Sequence, residues 1–260
     1  MATVPVEEAM AGEGEPEYFV RFNLGQRIEH VVLMVTFIVL SVTGLAQRFY
    51  TAGWAQWVIL GLGGIEYTRL VHRIFAVVFI LSIIYHLGYI INALFRRHAR
   101  PDMVPTFKDF RDVVATLRYS FGFTDRKPQF GRFDYRQKFE YWGIIFGSGV
   151  IIASGFFLMY PVAVTRIFPG QFVAAAKEFH GNEAMLAVLT IVVWHLYDVM
   201  FKPGIFPSDT SIFSGKISKE RLMEEHTLEY AELTGEKAAG ETAPATAAPP
   251  AEPPPNSPAG

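Results

Sequence analysis

Residues 70–94 read LVHRIFAVVFILSIIYHLGYIINAL. This apolar run is long enough to cross a bilayer, since a membrane helix needs about 20 mostly apolar residues. It carries two imidazoles, His72 and His86, and a later apolar segment carries His180 and His195. Ionisable side chains at membrane depth are costly, so they usually face the interior of a helix bundle and mark a relay or a cofactor. The two histidine pairs therefore predict a bound group inside the membrane.

The spacing within each pair predicts where that group lies. His72 and His86 are 14 residues apart and His180 and His195 are 15 apart, which at about 1.5 Å per residue is a rise of roughly 21–22 Å. One histidine of each pair then lies near each membrane face. At about 100° per residue, these steps return to within roughly 40° and 60° of the starting face, so both histidines of a helix look into the same interior. Two such helices facing each other predict two haems, one above the other, each iron between two imidazoles.

The composition supports a membrane protein and limits how a haem is held. Hydrophobic residues make up 51% of the chain and charged residues only 18%, and there are 23 phenylalanines, a balance typical of membrane proteins. The chain has no cysteine, which excludes disulfides, cysteine-held iron–sulfur clusters and covalent c-type haem attachment. Any haem must be held by axial ligands and packing.

Four apolar segments are long enough to span a membrane. They predict an all-α fold, an integral membrane four-helix bundle. Short interfacial helices are expected in two connections, 47–69 with its Trp54 and Trp57 anchors, and 165–179. The four predicted spans are residues 28–46, 70–94, 140–161 and 180–201.

The remaining sequence divides by composition. Residues 1–20 form an acidic N-terminal cytoplasmic segment without the basic and apolar regions of a cleavable signal peptide, so we expect the first span to insert uncleaved. Residues 21–204 form the membrane di-haem domain. A cytoplasmic extension follows at 205–232, with a short helix at about 217–232, and a disordered Ala/Pro-rich tail at 233–260.

The basic residues predict the orientation of the chain. The loop between the second and third predicted spans carries eleven Lys and Arg, whereas the other two connections carry two each. By the positive-inside rule the basic loop is cytoplasmic, which predicts a multi-pass protein of the bacterial inner membrane with both termini in the cytoplasm. His30 then lies at the same depth as His86 and His195, so three histidines compete for the two axial positions of the inner haem. The outer haem has one pair, His72 with His180.

The chain contains LGQRIEHVVLMVTFIVLSVTGLAQRF at 24–49, GGIEYTRLVHRIFAVVFILSIIYHLGYI at 63–90 and FHGNEAMLAVLTIVVWHLYDVMF at 179–201. Together these stretches resemble the bacterial four-helix cytochrome b family, which includes formate dehydrogenase gamma subunits and the b-type cytochromes of nickel–iron hydrogenases. The resemblance covers roughly residues 18–230, and the histidine pattern is its specific part.

The resemblance implies that His30 and His195 hold the inner haem and that His72 and His180 hold the outer one. His86 departs from the simplest form of the family pattern. The symmetry of the two double-histidine helices makes it a competing partner for His195. Otherwise it lines a quinone site or bonds a haem propionate.

Two further groups of side chains are candidates for cofactor contacts. Haem propionates need cations near the membrane edges, and Arg27 at the inner edge and Arg69 and Arg73 at the outer edge are suitable, although each also fits ordinary snorkelling to lipid headgroups. A quinone site needs proton-exchanging groups near a haem, and the alternative for these groups is a solvated helix end. The quinone candidates are Glu29, His86, Lys138, Glu140, Tyr141 and Asp198.

These features predict a membrane b-type cytochrome that carries electrons across the bilayer, through two bis-histidine haems, between an outer-face partner and the quinone pool. The resemblance implies an iron–sulfur or multihaem c-type partner subunit within a quinone-linked respiratory oxidoreductase. The chain has no catalytic motif of its own, because it lacks a Walker loop, a G-x-G-x-x-G turn and H-E-x-x-H. Lipid and quinone are the other expected partners, and nucleic acid is not. The alternatives are a transporter that uses the histidines as a proton or metal relay, and a structural membrane anchor.

Overall fold

The computed structural model describes residues 17–96 and 98–235, most of which are helical. Four helices are long and apolar enough to cross a membrane, which confirms the predicted bundle of spans. Each begins four to nine residues before its predicted start. The spans are α1 (Leu24–Arg48), α3 (Ile65–Phe95), α5 (Tyr135–Met159) and a fourth helix over Gln171–Phe201.

Two of the early starts have a capping explanation. In α1 the side chain of Asn23 accepts a hydrogen bond from the Gln26 backbone at 3.0 Å, and the Gln26 side chain accepts one from the Asn23 backbone at 3.0 Å. Asp134 and Gln137 form the same reciprocal box in α5. Such boxes satisfy N–H groups that no helical carbonyl reaches. They lengthen both helices beyond their apolar runs at the same end of the bundle.

The spans associate as two hairpins. α1 packs along α3, and α5 packs along α7 (Gln171–Leu189), the first part of the fourth span; α1 also contacts α7. The interior of the bundle therefore lies between the two hairpins. The histidines predicted to bind haem face this interior.

The fourth span changes its helical form near its second histidine. After α7 the chain is π-helical over Thr190–His195 and again over Tyr197–Phe201. In an unbroken α-helix the 15 residues from His180 to His195 overshoot four full turns by roughly 60°. A π-turn contains more residues, so each one rotates the chain by less. The π-helical segment therefore turns His195 back towards the face that carries His180.

Of the two short helices predicted between spans, one is present in the structure and the other is not. The connection 47–69 contains α2 (Gly53–Gly61), which is followed by two glycines with positive φ that make the turn into α3. The segment 165–179 does not form a separate helix. A short α6 (Pro161–Thr165) precedes it, and from Gln171 onward the chain already belongs to the fourth span.

The basic loop contains a helix that the sequence analysis did not predict, α4 (Phe107–Ser120). Thr106 and Asp109 cap its first turn, with the Asp109 carboxylate accepting from the Thr106 hydroxyl at 2.9 Å. The loop thus packs against one end of the bundle. We call this end the inner end and the opposite end the outer end.

The two terminal regions form a small cap at the same end. Strand β1 (Tyr18–Val20) pairs antiparallel with β2 (Lys216–Ser218), in the register Phe19 opposite Ile217. The helices around β2 are α8 (Ser211–Ser214), α9 (Lys219–Glu225) and α10 (Thr227–Thr234). The core of this terminal cap consists of Phe19, Ile217, Leu222 and Tyr230.

The cap corrects the predicted single helix at about 217–232. Its first residues are a strand because they pair with β1, a partner about 200 positions away that local periodicity does not reveal. The helix is then interrupted at His226, whose φ of −133° and ψ of 48° end α9. Helix α10 reaches Thr234, two residues into the predicted tail. Residues 236–260 of the tail and residues 1–16 lie outside the described residues.

Candidate haem-binding site

The outer imidazole pair joins the two hairpins. His72 on α3 and His180 on α7 have ring centroids 6.3 Å apart. The Nδ1 atom of His72 lies 2.8 Å from the Thr43 hydroxyl. The Nδ1 atom of His180 lies 3.1 Å from the Ile151 carbonyl and 3.2 Å from the Ser154 hydroxyl. The Nδ1 atom of each ring is therefore hydrogen-bonded to the neighbouring helix of its own hairpin.

The hydroxyl groups define the tautomer of this pair. The Thr43 hydroxyl is also 2.7 Å from the Val39 carbonyl, and the Ser154 hydroxyl 2.6 Å from the Val150 carbonyl. A hydroxyl has one hydrogen and two lone pairs. If it donates to its own helix, it must accept from the imidazole Nδ1–H. That arrangement leaves the Nε2 lone pair of each ring for a metal.

Two glycines make room for the same rings. A Cβ atom on Gly44 would lie 3.1 Å from Cε1 of His72, and one on Gly155 would lie 3.3 Å from Cε1 of His180. Each glycine directly follows the hydroxyl residue that contacts the ring, Thr43 or Ser154. The same hydroxyl–glycine dipeptide therefore supports both outer histidines. We call the two dipeptides, Thr43–Gly44 and Ser154–Gly155, the outer seats.

The inner pair consists of His30 on α1 and His195 on the fourth span. Their ring centroids are also 6.3 Å apart. The Nδ1 atom of His195 donates towards the Glu140 carboxylate at 3.2 Å. The Nδ1 atom of His30 is buried and has no hydrogen-bond partner among the described residues. The inner pair is thus backed by a carboxylate on one side, unlike the neutral partners of the outer pair.

His86 lies in a separate cluster at this end of the bundle. Its Nδ1 is 2.7 Å from the Glu29 carboxylate and its Nε2 is 3.0 Å from the Tyr141 hydroxyl. Both ring nitrogens are therefore engaged in hydrogen bonds, and the structure brings His30, not His86, opposite His195.

The separation of both pairs fits a metal between the rings. A bond from a metal to an imidazole nitrogen is about 2.0–2.1 Å, and the ring centre lies about 1.1 Å further on, so two imidazoles on opposite sides of one metal have centres roughly 6.3 Å apart. No group of three or more His, Asp or Glu side chains suited to a metal exists within residues 17–96 and 98–235. A metal bound by two imidazoles alone needs further donors, which a porphyrin provides.

The remaining quinone candidates separate into two sets. Glu29 and Glu140 each have one carboxylate oxygen that is buried without a hydrogen-bond partner among the described residues. With His86 and Tyr141 they form the inner polar cluster. The other two candidates are paired elsewhere, since Lys138 bonds Asp109 at 2.9 Å and Asp198 bonds Arg136 at 3.3 Å.

The arginine candidates have different surroundings. Arg27 donates to the Phe213 carbonyl of the terminal cap, and its Nε is buried without a partner among the described residues. Arg69 pairs with Glu66 at 2.7 Å on the surface, and Arg73 is exposed.

Two functional candidates were missed by the sequence analysis. Arg48 at the end of α1 donates to Asn182 at 2.9 Å and packs against Gly181, the residue after His180. Glu183 lies within the fourth span, its carboxylate 2.6 Å from where a Cβ on Gly147 would stand. Arg48 is distinguished from other polar residues only by its contact with the fourth span, so the sequence offered no signal for it. Glu183 could have been found, because it is an ionisable residue inside a predicted span.

Comparison with known proteins places this geometry in a family. The sequence profile described as prokaryotic cytochrome b561 matches residues 21–214. The cytochrome b556(Fdn) subunit of the nitrate-inducible formate dehydrogenase of Escherichia coli strain K12 is 21% identical over 213 residues, which cover 82% of this chain and 90% of that protein. The cytochrome b556(fdo) subunit of formate dehydrogenase from the same strain is 24% identical over 214 residues, which cover 82% of this chain and 92% of that protein.

The profile match spans most of the chain and includes all four apolar helices and both facing imidazole pairs. It favours electron transfer over the transporter and anchor alternatives. The chain belongs to the prokaryotic cytochrome b561 family and is a membrane b-type cytochrome of electron transport.

Proposed function

We propose that the chain holds two b haems, each between two histidines. His30 and His195 are the axial ligands of the inner haem, and His72 and His180 those of the outer haem. The observation that carries this proposal is the equal 6.3 Å separation of the two ring pairs. When bound, each haem supplies a one-electron redox centre. Because two histidines would hold each haem iron, the haem would offer no vacant site to oxygen.

The chain's own residues orient these ligands. Thr43 and Ser154 accept from the Nδ1–H of the outer ligands, and Glu140 accepts from that of His195. Such partners fix the ring orientation and raise the basicity of the ligating nitrogen. Arg27 and Arg48 are the propionate partners that fit best at the inner and outer edges, because each reaches from α1 to another part of the bundle. Arg69 and Arg73 remain alternatives at the outer edge.

The two histidine pairs would place redox centres at opposite depths and so provide a path for electrons across the bilayer. His180 and His195 are 15 residues apart on one helix, roughly 22 Å at about 1.5 Å per residue. An electron that passes between the two sites moves charge through the membrane potential, at about 2.3 kcal/mol per elementary charge per 100 mV. The membrane field therefore contributes to the driving force for transfer.

We infer that quinone reacts at the inner polar cluster of Glu29, His86, Glu140 and Tyr141. Quinone reduction takes up protons together with electrons, so the site needs proton donors beside a haem. The cluster contains a Glu29–His86–Tyr141 chain of hydrogen bonds. Its fourth member, Glu140, is next to Tyr141 in sequence and bonds His195. The unpartnered oxygens of Glu29 and Glu140 are free to accept a proton or a hydrogen bond from the ring.

The names of the relatives point to the kind of complex. Both E. coli relatives are cytochrome subunits of formate dehydrogenases. We propose that this chain likewise serves a membrane oxidoreductase, with an iron–sulfur or multihaem c-type subunit at the outer face. The basic loop and both terminal regions then lie in the cytoplasm.

The haem proposal is tested by ligand variants of the purified full chain. Haem content and the reduced α-band are measured for His30→Ala, His72→Ala, His86→Ala, His180→Ala and His195→Ala. We expect two haems per chain in the parent, loss of one haem in the four ligand variants, and retention of both in His86→Ala. Loss of a haem in His86→Ala with both kept in His30→Ala would reverse the inner pairing. A parent protein without iron would refute the proposal.

The quinone proposal is tested with Glu29→Gln and His86→Gln. We expect both variants to keep their haems and their reduction by dithionite, but to reduce haem from a water-soluble quinol at least ten times more slowly. Glu66→Gln on the outer surface is the matched control and should behave like the parent. Unchanged quinol rates in both inner variants would place the quinone elsewhere.

A further inference from the structure

Helix α4 has an apolar face that no other part of the described chain covers. Most of its large apolar side chains recur at helical spacing on this face, and these are exposed. Phe107 is 78% exposed and Phe110 65%, and no residue of the helix is buried. The stripe consists of Phe107, Phe110, Val114, Leu117 and, just after the helix, Phe121.

The opposite face of α4 attaches the helix to the bundle. Asp109 bonds Lys138 of α5 at 2.9 Å, and Lys108 donates to the Gln129 carbonyl at 3.0 Å. Just before the helix, the Met103 carbonyl accepts from Trp142 at 2.8 Å. At about 100° per residue, Asp109 lies roughly 120° around the helix from the middle of the stripe. The stripe therefore points away from the protein to which the helix is tied.

Two arginines line one edge of this stripe. Arg111 and Arg118 are seven residues apart, which is about two helical turns. Both are exposed, and neither side chain forms a hydrogen bond or an ion pair with any residue in the described part of the chain. Arginines at the border of an apolar helical face are positioned to reach lipid phosphates while their stems cover apolar surface.

We propose that α4 is an interfacial helix that binds the bilayer surface at the inner end of the bundle. The apolar stripe enters the boundary between headgroups and acyl chains, and Arg111 and Arg118 bind the phosphates of anionic phospholipid. The surface is continuous with the lipid-facing side of the spans, because α4 is fixed to the first turn of α5, where the neighbouring Phe139 is 63% exposed. Basic juxtamembrane residues of this kind attract anionic lipid.

The absence of cysteine makes the proposal directly testable by spin labelling. Full-length holoprotein is reconstituted into lipid nanodiscs with a single label at Val114→Cys or Leu117→Cys on the stripe. Tyr119→Cys, exposed on the other side of the same helix, is the matched control. We expect the stripe labels to be more accessible to oxygen than to a water-soluble nickel chelate, and the control label to show the reverse order.

A second arm tests the headgroup contact. We expect phosphatidylglycerol nanodiscs to bury the Val114 label more deeply than phosphatidylcholine nanodiscs, and Arg111→Gln with Arg118→Gln to remove this difference. Arg126→Gln, in the same basic loop, should preserve it. Stripe labels that remain exposed to the nickel chelate in lipid would overturn the proposal and favour a protein partner on this face. An unchanged lipid difference in the double variant would overturn the phosphate contact.

Discussion

At the scale of single residues, the two facing histidine pairs differ in the hydrogen-bond partners of their Nδ1 atoms. The outer histidines have neutral partners, a hydroxyl for His72 and a hydroxyl with a carbonyl for His180. The inner histidine His195 has a carboxylate. An anionic partner makes an imidazole a stronger electron donor than a neutral one does. The chain therefore gives its two proposed haem sites unequal electronic surroundings while it keeps the same ring separation.

The outer seat at Thr43 yields a prediction. Replacing Thr43 by Val removes the hydroxyl but keeps the shape, so Nδ1 of His72 loses its acceptor and the ring loses its fixed tautomer. Changes to such partners typically cost about 10–100-fold in metal affinity. We expect Thr43→Val to weaken retention of one haem by that order and to shift the EPR g-values of that haem, both measured on the purified protein.

Two comparisons separate this effect from general damage to α1. Thr43→Ser keeps the hydroxyl and should restore parental haem content. Thr36→Val is the matched control, because Thr36 is equally buried on the same helix and bonds the Val32 carbonyl at 2.8 Å but no histidine. Equal haem loss in the Thr36 and Thr43 variants would contradict the role of the seat.

At the scale of elements, the terminal cap is held together by a buried charged network. Arg21 of the N-terminal region pairs with Glu229 of α10, which also bonds Arg132 at 2.7 Å. Arg21 donates to Nε2 of His226 at 3.1 Å, and Nδ1 of His226 donates to the Gly131 carbonyl at 2.7 Å. Breaking a buried charge pair by removing one partner typically costs about 3–5 kcal/mol. The cap is therefore expected to open as a unit when this network fails.

The cap has a predictable pH dependence through His226. Burial, and next the positive charge of Arg21, lower the pKa of this imidazole from 6.5 to about 4. Between about pH 4 and pH 6.5, His226 binds a proton in the opened cap but not in the closed cap. The free energy of opening is therefore greatest above about pH 6.5 and falls as the pH drops towards 4. The free energy of opening changes by at most about 1.4 kcal/mol per pH unit.

Hydrogen–deuterium exchange of residues 216–234, corrected for the intrinsic pH effect, measures this opening. We expect protection to decrease from pH 7 to pH 5 in the parent and in His98→Gln, whose histidine is exposed. His226→Gln should show weaker protection at pH 7 with little further change. A parental slope that persists in His226→Gln would assign the pH dependence to another group, such as Glu225 or Asp134 nearby.

At the scale of the whole molecule, the described regions that are predicted to be cytoplasmic lie at one end of the structure. β1 and β2 pair there, the basic loop packs against α5 there, and Lys127 of that loop pairs with Glu224 of the cap at 3.1 Å. The opposite end carries α2, with Trp57 79% exposed. By the positive-inside rule, this arrangement predicts that the basic end faces the cytoplasm and that α2 lies on the opposite side of the membrane.

Cysteine labelling tests this orientation. Thr51→Cys is placed before α2 and Asp125→Cys in the basic loop, both at exposed positions. In intact cells we expect a membrane-impermeant maleimide to label position 51 only, and position 125 to react after the inner membrane is permeabilised. Labelling of position 125 alone in intact cells would invert the proposed topology.

The apolar runs alone determined the four spans and their number, since a bilayer requires about 20 apolar residues wherever a helix crosses it. The histidine spacing predicted that the two histidines of each double-histidine helix lie at different depths, because 14 or 15 residues of α-helix rise by roughly 21–22 Å. Tertiary structure decided which imidazoles face one another: His30 lies opposite His195 while Glu29 and Tyr141 engage His86. It also decided that residues 216–218 form a strand. Helix rotation, π-turns and long-range partners set these outcomes, and a one-dimensional pattern carries no information about which surfaces meet.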